Sequence, residues 1–429
     1  MDFERSNSSP GRDPMSGSPQ YCVTTALRRS AYPLRTTEPY ADRSDLEPLS
    51  RLVEGACVVG LGQATHNSHE FFTMKHRIFR YLVEKLGFTT FALEANWSAG
   101  LRLNDYVLHG KGDPRQIMDE EFQGSYVFWN TLEHLDLIEW MRAHNERHDR
   151  KVQFMGADIG HAGEELYDRV LTLAMRHAPR LGRELAPLYR QLRPEPGAGA
   201  WPGHYLAKSL EERRWLVFLA RRALTLLRRH PWPDACSHAW AVRHAKAITQ
   251  TWTLYAHDLD DPAQLAQGLL HRDMAMAENT VWWRLRTGHR MLLSAHNAHV
   301  AYESFDPEHY PRVLGAFLRQ YLGPRYVNVG FTFHRGSFNA WNEANNMTAF
   351  TVGPAGGHSN EHTLDQIDHD DHLLDLRTIP ARARAWLQVA RPTGVVGTVY
   401  PVATPLIRLA HSYDMLIHLR EITAAHLLA

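Results

Sequence analysis

Cysteine is scarce in this chain. Three thiols, Cys22, Cys57 and Cys236, are scattered through 429 residues with no CxxC pair. Such a set builds neither a disulfide framework nor a cysteine metal site, and a reducing cytoplasm is the setting it fits. No apolar run reaches ~18 residues, so no membrane-spanning helix is expected. The N-terminus lacks a basic-then-apolar secretory pattern. Excess charge is missing as well, since 47 Lys plus Arg balance 47 Asp plus Glu. That balance argues against nucleic-acid or membrane partners, both of which favour a net basic surface. Several catalytic signatures are also lacking. There is no HExxH, no GxSxG elbow, no P-loop lysine after Gly60 and Gly62, and no third glycine of a dinucleotide fingerprint. No cofactor is expected.

Apolar residues and histidine are what the chain does have. Hydrophobic content of 44% with 22% charged residues is that of an ordinary globular protein, and the length allows one large domain with an insertion, or two domains. The 27 histidines exceed what a site can use, so only those on turns beside other titratable groups are candidates.

Residues 1–35, rich in Ser, Pro, Gly and Arg, read as a flexible leader. Leu46 to Val53 reads as a short helix. Ala56-Cys-Val-Val-Gly-Leu-Gly62 is a short apolar run ending in glycine, the pattern of a strand buried on both faces. After Gln63 and His66, the residues Phe71, Met74, Ile78, Leu82 and Leu86 recur with a helical period. Asn67 with Glu70 resembles a capping box and Gly87 a helix C-terminal glycine. Phe88 to Glu94 is a second strand, so residues 56–94 form a strand–helix–strand unit with a right-handed parallel crossover.

Ala99 to His148 is helical in pattern, and Lys151 to Asp158 reads as a third strand. Residues 163–287 are almost entirely helical, with long helices expected over Tyr205–Arg229 and Gln264–Arg286 and a loop over 193–203. Arg290 to His296 returns to a strand. Further strands are expected at 326–333, 373–377 and 394–400, a polar loop at 339–362, and a last apolar segment at 411–417 before a short C-terminal helix. The expected architecture is an α/β fold with a mostly parallel central sheet flanked by helices. Residues 36–162 and 288–429 form the core, and 163–287 a helical cap over the C-terminal rim of the sheet.

In such a sheet, ligands bind outside the carboxyl ends of the strands. Four expected strands end near His66, Glu94, Asp158 and the pair His296 and His299, which places them on one rim. A histidine able to accept a proton, with carboxylates and histidines beside it, suits general acid–base hydrolysis. Each group also has a plainer use. Glu94 could pair with Arg102, and Asp158 could pin a loop. His66, Glu94, His296 and His299 form a set that zinc would accept, but no closed ligand motif accompanies them, and no metal is assigned.

Several blocks resemble the erythromycin esterase family. They are Gly60-x-Gly-Gln-Ala-Thr-His66, Glu70-Phe71, Gly87-Phe88 and Leu93-Glu94-Ala-x-Trp97, then Asn104-x-Tyr106-Val107, Trp129-Asn130 and Trp140-x-Arg142. The likeness resumes at Arg272-Asp273-x-Ala-Met-Ala-Glu278, His296-Asn-x-His299, Gly330-Phe-Thr-Phe333, Gly336-Ser-Phe-Asn339, Leu373-Leu-Asp-Leu-Arg377 and Tyr413-Asp414. It implies a metal-independent hydrolase that opens macrolide lactones by water attack. The matching positions make His66 the general base, with Glu94, His296 and His299 around the same cleft. Gln63, Asn67, Lys75, Trp97 and Asp158 are then positions that bind or orient a small-molecule substrate, a macrolide or another natural product.

The family usually carries Glu at Gln63, Gly at Asn67 and Arg at Lys75. An uncharged amide three residues before His66 leaves alternatives open. One is a biosynthetic enzyme performing cyclisation, elimination or acyl transfer on a natural-product intermediate. The other is a catalytically weakened binding protein.

Overall fold

The run before Gly62 folds into the middle of a nine-stranded sheet in the computed structural model, which describes residues 19–194 and 202–428. In chain order the strands are β1 (Ala31–Leu34), β2 (Val58–Leu61), β3 (Thr90–Asn96), β4 (Gln153–Asp158), β5 (Met291–Ser294), β6 (Tyr326–Trp341), β7 (Met347–Val352), β8 (Asp371–Asp375), β9 (Arg391–Pro392), β10 (Leu406–Ile407) and β11 (Met415–Ile422). The main sheet runs β1-β8-β11-β6-β2-β5-β3-β4, with β7 paired to β6. From β11 to β4 every pairing is parallel, and β1, β7 and β8 pair antiparallel. β9 and β10 form a separate small ladder.

Every residue of β2, β3 and β5 is buried, as a parallel sheet covered on both faces requires. Between β2 and β3, helix His69–Leu86 buries Phe71, Met74, Ile78 and Leu82 against one face. Each such side chain contributes about 1.5–3 kcal/mol of transfer free energy. Gly87 ends the helix at φ 67°, a left-handed conformation that glycine adopts without a Cβ clash. On the other face lie the helices between β4 and β5: Glu164–His177, Pro179–Leu192, Leu210–Arg229, Ala235–Tyr255 and Pro262–Thr287.

Several expectations differ from the structure. The capping box does not form. Ser68 is the N-cap and makes no side-chain cap bond. Asn67 donates from Nδ2 to the Phe128 carbonyl at 2.8 Å, while Glu70 accepts from the N–H and hydroxyl of Thr423 at 2.6 and 2.7 Å. Tertiary partners have taken both side chains. Within the expected leader, Pro19–Arg28 is a helix and Ala31–Leu34 an edge strand, and residues 1–18 lie outside the described residues. The expected helix from Tyr205 starts at Leu210, where Ser209 caps the Glu212 N–H; Gly203–Leu206 is a separate turn. Most of the 193–203 loop lies outside the described residues.

The expected loop 339–362 contains the end of β6, all of β7 and the start of helix Asn360–Asp365. β7 was hidden because it is an edge strand with no buried residue. Residues 394–400 look like a strand in composition but pair with no ladder. They are held by the Val396 N–H on the Ala64 carbonyl (2.7 Å) and by Trp341 on Thr398. At the end of the chain stands β11 rather than a helix.

The tail after β11 returns over helix His69–Leu86. Buried Glu133 accepts from His69 Nδ1 (2.7 Å), His426 Nδ1 (2.9 Å) and the His426 N–H (3.1 Å). The bond to Glu133 lifts the His69 imidazole to about 9. Burial opposes the Glu133 charge, but the two histidines hold it down to about 2. The histidine's contribution is therefore full below its unfolded value of about 6.5 and is lost as pH rises through about 9. That of Glu133 is present above about 4.5 and is lost as pH falls through about 2.

Two predictions follow from these contacts. The His69 imidazole should titrate at about 9 in an NMR pH series, and Glu133→Gln should bring that midpoint down toward about 6.5; a midpoint unmoved by the substitution would contradict the contact. Gly100 packs against β4, where an added Cβ would lie 2.0 Å from the Gly156 nitrogen. Gly100→Ala should cost about 1–3 kcal/mol through backbone displacement, and an unchanged urea midpoint would refute that close approach.

Candidate active site

β2, β5, β3 and β4 are adjacent in that order. The residues leaving their carboxyl ends therefore meet along one rim. β2 leads into the turn that carries Gln63 and His66. β5 leads to His296, the N-cap of the short helix Asn297–Val300 that carries His299. β3 carries Glu94, beside a register shift against β4 between Leu93 and Asn96. Such a bulge re-aims a side chain. β4 ends on Asp158. Gly62 must be glycine, because a Cβ there would lie 2.0 Å from Asn297 Oδ1, and Asn297 pins β6 through both the N–H and the carbonyl of Phe331.

A cavity of about 490 Å³ opens at this rim. Its polar end is lined by His66, Glu94, His296, His299 and Arg272, and its walls include Trp129, Leu254, Tyr255, Leu265, Leu269 and Tyr310. Helix Pro262–Thr287 and the segment before it thus supply the apolar wall, and residues 397–398 supply the opposite edge.

Arg272 ties the polar end together. Its Nη2 donates to Glu94 Oε1 (3.0 Å) and Asp158 Oδ2 (2.6 Å), and its Nε donates to Asp158 Oδ1 (3.0 Å). Glu94 Oε2 accepts from the His296 N–H at 2.8 Å, and Glu94 Oε1 lies 3.2 Å from His299 Nε2. On the other side of that ring, Nδ1 lies 2.7 Å from Asp273 Oδ1, a charge contact without hydrogen-bond alignment. Burial disfavours every charge here, but the partners outweigh it. Glu94 is held well below the ordinary carboxylate range by His299 and Arg272. His299 is pushed well above the ordinary imidazole value by Asp273 and Glu94, and so carries its proton.

His66 and His296 behave in the opposite way. Burial takes His66 down to about 4, opposed by Glu94. Burial and the neighbouring His66 lower His296 well below the usual value. Both rings are neutral at pH 7, and they stack at 4.7 Å between centroids, with Phe128 and Trp129 closing on His66 at 5.5 and 5.4 Å. His296 has committed both nitrogens, Nε2 to the Val396 carbonyl (3.2 Å) and Nδ1 to the Ala298 N–H (3.4 Å). His66 has committed only Nδ1, to Gln63 Nε2 at 3.2 Å. No described residue hydrogen-bonds its Nε2.

The structure brings His66, Glu94, His296 and His299 together around the cavity. The other sequence-derived candidates do not line it. Asp158 lies behind Arg272 and also accepts from Tyr126 Oη at 3.0 Å. Gln63 and Lys75 lie beneath His66, with Lys75 Nζ on Gln63 Oε1 and 3.0 Å from Ser294 Oγ. Asn67 faces Phe128 and Asn339. Trp97 does not reach the cavity either. Its indole points into the helical layer, donates to His244 Nδ1 at 3.1 Å and meets Trp282 and Trp283 edge-on, because helix Trp97–His109 turns that face inward. Glu94 does not pair with Arg102, which binds Glu120 and Glu121. Arg272 lines the cavity but was missing from the sequence-derived candidates; its only sequence signal is its place in the Arg272-Asp273 block of the resemblance.

Replacing Arg272 by Met should destabilise the protein by about 3–5 kcal/mol, because two buried carboxylates lose their partner. Arg272→Lys should cost less, since it keeps the charge but loses the two-pronged fork. Guanidinium unfolding measures both, and a Met variant as stable as wild type would show that the network is not what holds this rim.

The family model described as erythromycin esterase matches residues 83–422. Over 133 residues the chain is 32% identical to erythromycin esterase type II of Escherichia coli, covering 30% of each chain. It is 28% identical over 133 residues to the putative hydrolase YbfO of Bacillus subtilis, covering 31% of this chain and 28% of that one. These stretches span under a third of the curated relatives they match. Among solved structures, a Bacillus cereus protein superposes with a TM-score of 0.86 at 29% identity, covering 96% of this chain and 99% of the other. A protein described as a succinoglycan biosynthesis protein gives 0.85 at 29% identity, covering 95% and 99%. A mutant erythromycin esterase in an open conformation shares the fold, with a TM-score of 0.71 at 18% identity, covering 93% and 99%. With its family model matched over most of its length and the α/β sheet and helices in place, the chain belongs to the erythromycin esterase family.

Proposed function

We propose that this chain hydrolyses a carboxylic ester or lactone in the cavity at the carboxyl ends of β2, β3 and β5, with His66 as general base. The observation that carries this reading is the neutral His66, the one ring at the site with a nitrogen left over and facing the cavity. In this scheme His66 Nε2 takes a proton from a water molecule as that water attacks the ester carbonyl. Arg272 and the protonated His299 offer positive charge where the oxyanion develops, in a buried setting where such charge acts strongly. The imidazolium formed on His66 then returns its proton to the departing alkoxide. Glu94 stabilises that transient imidazolium and holds His296, His299 and Arg272 in place.

The substrate class follows from the cavity. A volume of about 490 Å³ is in the range of drug-sized ligands, and leucine and aromatic walls suit a largely apolar small molecule such as a macrolide or another lactone natural product. His66→Ala should lower kcat/KM on an activated aryl ester or on a macrolactone by roughly 10²–10⁴-fold, the usual contribution of a positioned general base. Retention of wild-type turnover in that variant would sink the reading.

A second reading is a non-hydrolytic step on a natural-product intermediate. It is favoured by the uncharged Gln63 beneath His66, which supplies no negative charge to an imidazolium. Product analysis separates the two, because ring closure, elimination or acyl transfer leaves no hydrolysed acid.

A further inference from the structure

Beneath the cavity, Lys75, Gln63 and His66 form a buried chain of hydrogen bonds. Lys75 comes from helix His69–Leu86 and is 2% exposed; Gln63 is fully buried. Lys75 Nζ donates to Gln63 Oε1, to Ser294 Oγ at 3.0 Å and to the Ala295 carbonyl at 3.4 Å. Three acceptors match the three protons of an ammonium. An ammonium can only donate, so it holds the carbonyl end of the Gln63 amide. The amide nitrogen is then left for His66, and Gln63 Nε2 lies 3.2 Å from His66 Nδ1.

That orientation decides the chemistry of His66. A neutral imidazole has one N–H and one lone pair. When Gln63 donates to Nδ1, the lone pair is spent there, and the proton sits on Nε2, facing the cavity. Such a ring donates to a substrate but cannot take a proton from water. Turning the amide over reverses this. Oε1 then accepts from Nδ1–H, the Nε2 lone pair faces the cavity, and the Gln63 NH₂ needs an acceptor on its far side. A neutral Lys75 amine supplies that acceptor through its own lone pair, and its two remaining protons still satisfy Ser294 and Ala295. A glutamate at position 63 would accept from both sides at once and need no turn.

We infer that Lys75, acting through the Gln63 amide, is a positioning residue that sets the tautomer of His66, so that His66 is a hydrogen-bond donor while Lys75 is charged and a base once Lys75 is neutral. The proposal rests on the hydrolytic reading above and adds to it which residue controls the base. The groups facing Lys75 are consistent with accessible deprotonation. Burial lowers its ammonium well below the ordinary value, and Glu94, from β3, is the carboxylate that opposes this. His66, on the turn after β2, and His134, on helix Leu132–Arg147, also feel its charge, and both are lowered by burial. From β5 and the residue after it, the neutral Ser294 hydroxyl and the Ala295 carbonyl face the ammonium.

Nitrogen-15 spectra of histidine-labelled, full-length protein test this without any substrate, with His66→Ala identifying the His66 signals by subtraction. In wild type the proton should move from Nε2 to Nδ1 as pH rises. In Gln63→Glu it should sit on Nδ1 at every pH, because a carboxylate accepts from both sides; in Lys75→Met, which offers the amide neither donor nor acceptor, its position should no longer change with pH, and the first variant keeps the test open if the second fails to fold. The activity profile gives a separate readout. The acid limb of kcat/KM should retreat in Gln63→Glu, raising activity relative to wild type by roughly tenfold for each pH unit below the wild-type midpoint. A His66 tautomer that does not change with pH in wild type and is the same in both variants would overturn the inference. Loss of hydrolysis in His66→Ala together with an unmoved acid limb would also overturn it while leaving the hydrolytic reading standing. Hydrolysis that survives His66→Ala would remove that reading, whereas the tautomer result would stand by itself.

Discussion

The Arg272 guanidinium is the piece on which the site depends. It reaches from a helix on one face of the sheet to carboxylates on two strands, Glu94 and Asp158. Both carboxylates are buried, and removing an ion from water costs several kcal/mol, which a charged partner offsets. The planar fork also fixes geometry, since one guanidinium bonds both strand ends while Glu94 still receives the His296 N–H. The ion pair thus joins the helical layer to the sheet at the point where the cavity opens.

Around that charged cluster, the fold sorts five titratable side chains into two groups. Glu94, Arg272 and His299 sit close enough to hold one another charged. His66 and His296 lie one ring further out, stacked and bordered by aromatic residues, where burial dominates and both stay neutral. Neutral imidazole beside fixed positive charge is the combination that acid–base hydrolysis needs. The split arises from differences of a few ångströms in the nearest partner rather than from residue type.

Much of this arrangement was legible in the sequence. Short apolar runs ending in Gly62, Glu94, Asp158 and His296 mark parallel strands, and parallel strands put their carboxyl ends on one rim. That logic located His66, Glu94, His296 and His299. It could not locate Arg272, because an arginine in the middle of a long helix reads as a solvated charge. Trp97 follows Glu94 closely along the chain, but that proximity does not say which way a helix turns its indole. β7 escaped notice because an edge strand with no buried residue shows no apolar alternation, and residues 394–400 have strand composition but serve as an anchored wall beside His296. The roles of Gln63 and Lys75 emerge only in three dimensions, where two residues twelve positions apart meet beneath a third.

The central claim is that water, activated at His66, opens an ester or lactone in this cavity. Turnover in oxygen-18 water tests it most directly. Hydrolysis predicts that the heavy oxygen appears in the carboxylic acid of the product for wild-type protein and that this labelled product disappears with His66→Ala. Conversion of substrate to a product without the label would contradict the claim and mark the cavity as a site of ring closure, elimination or acyl transfer.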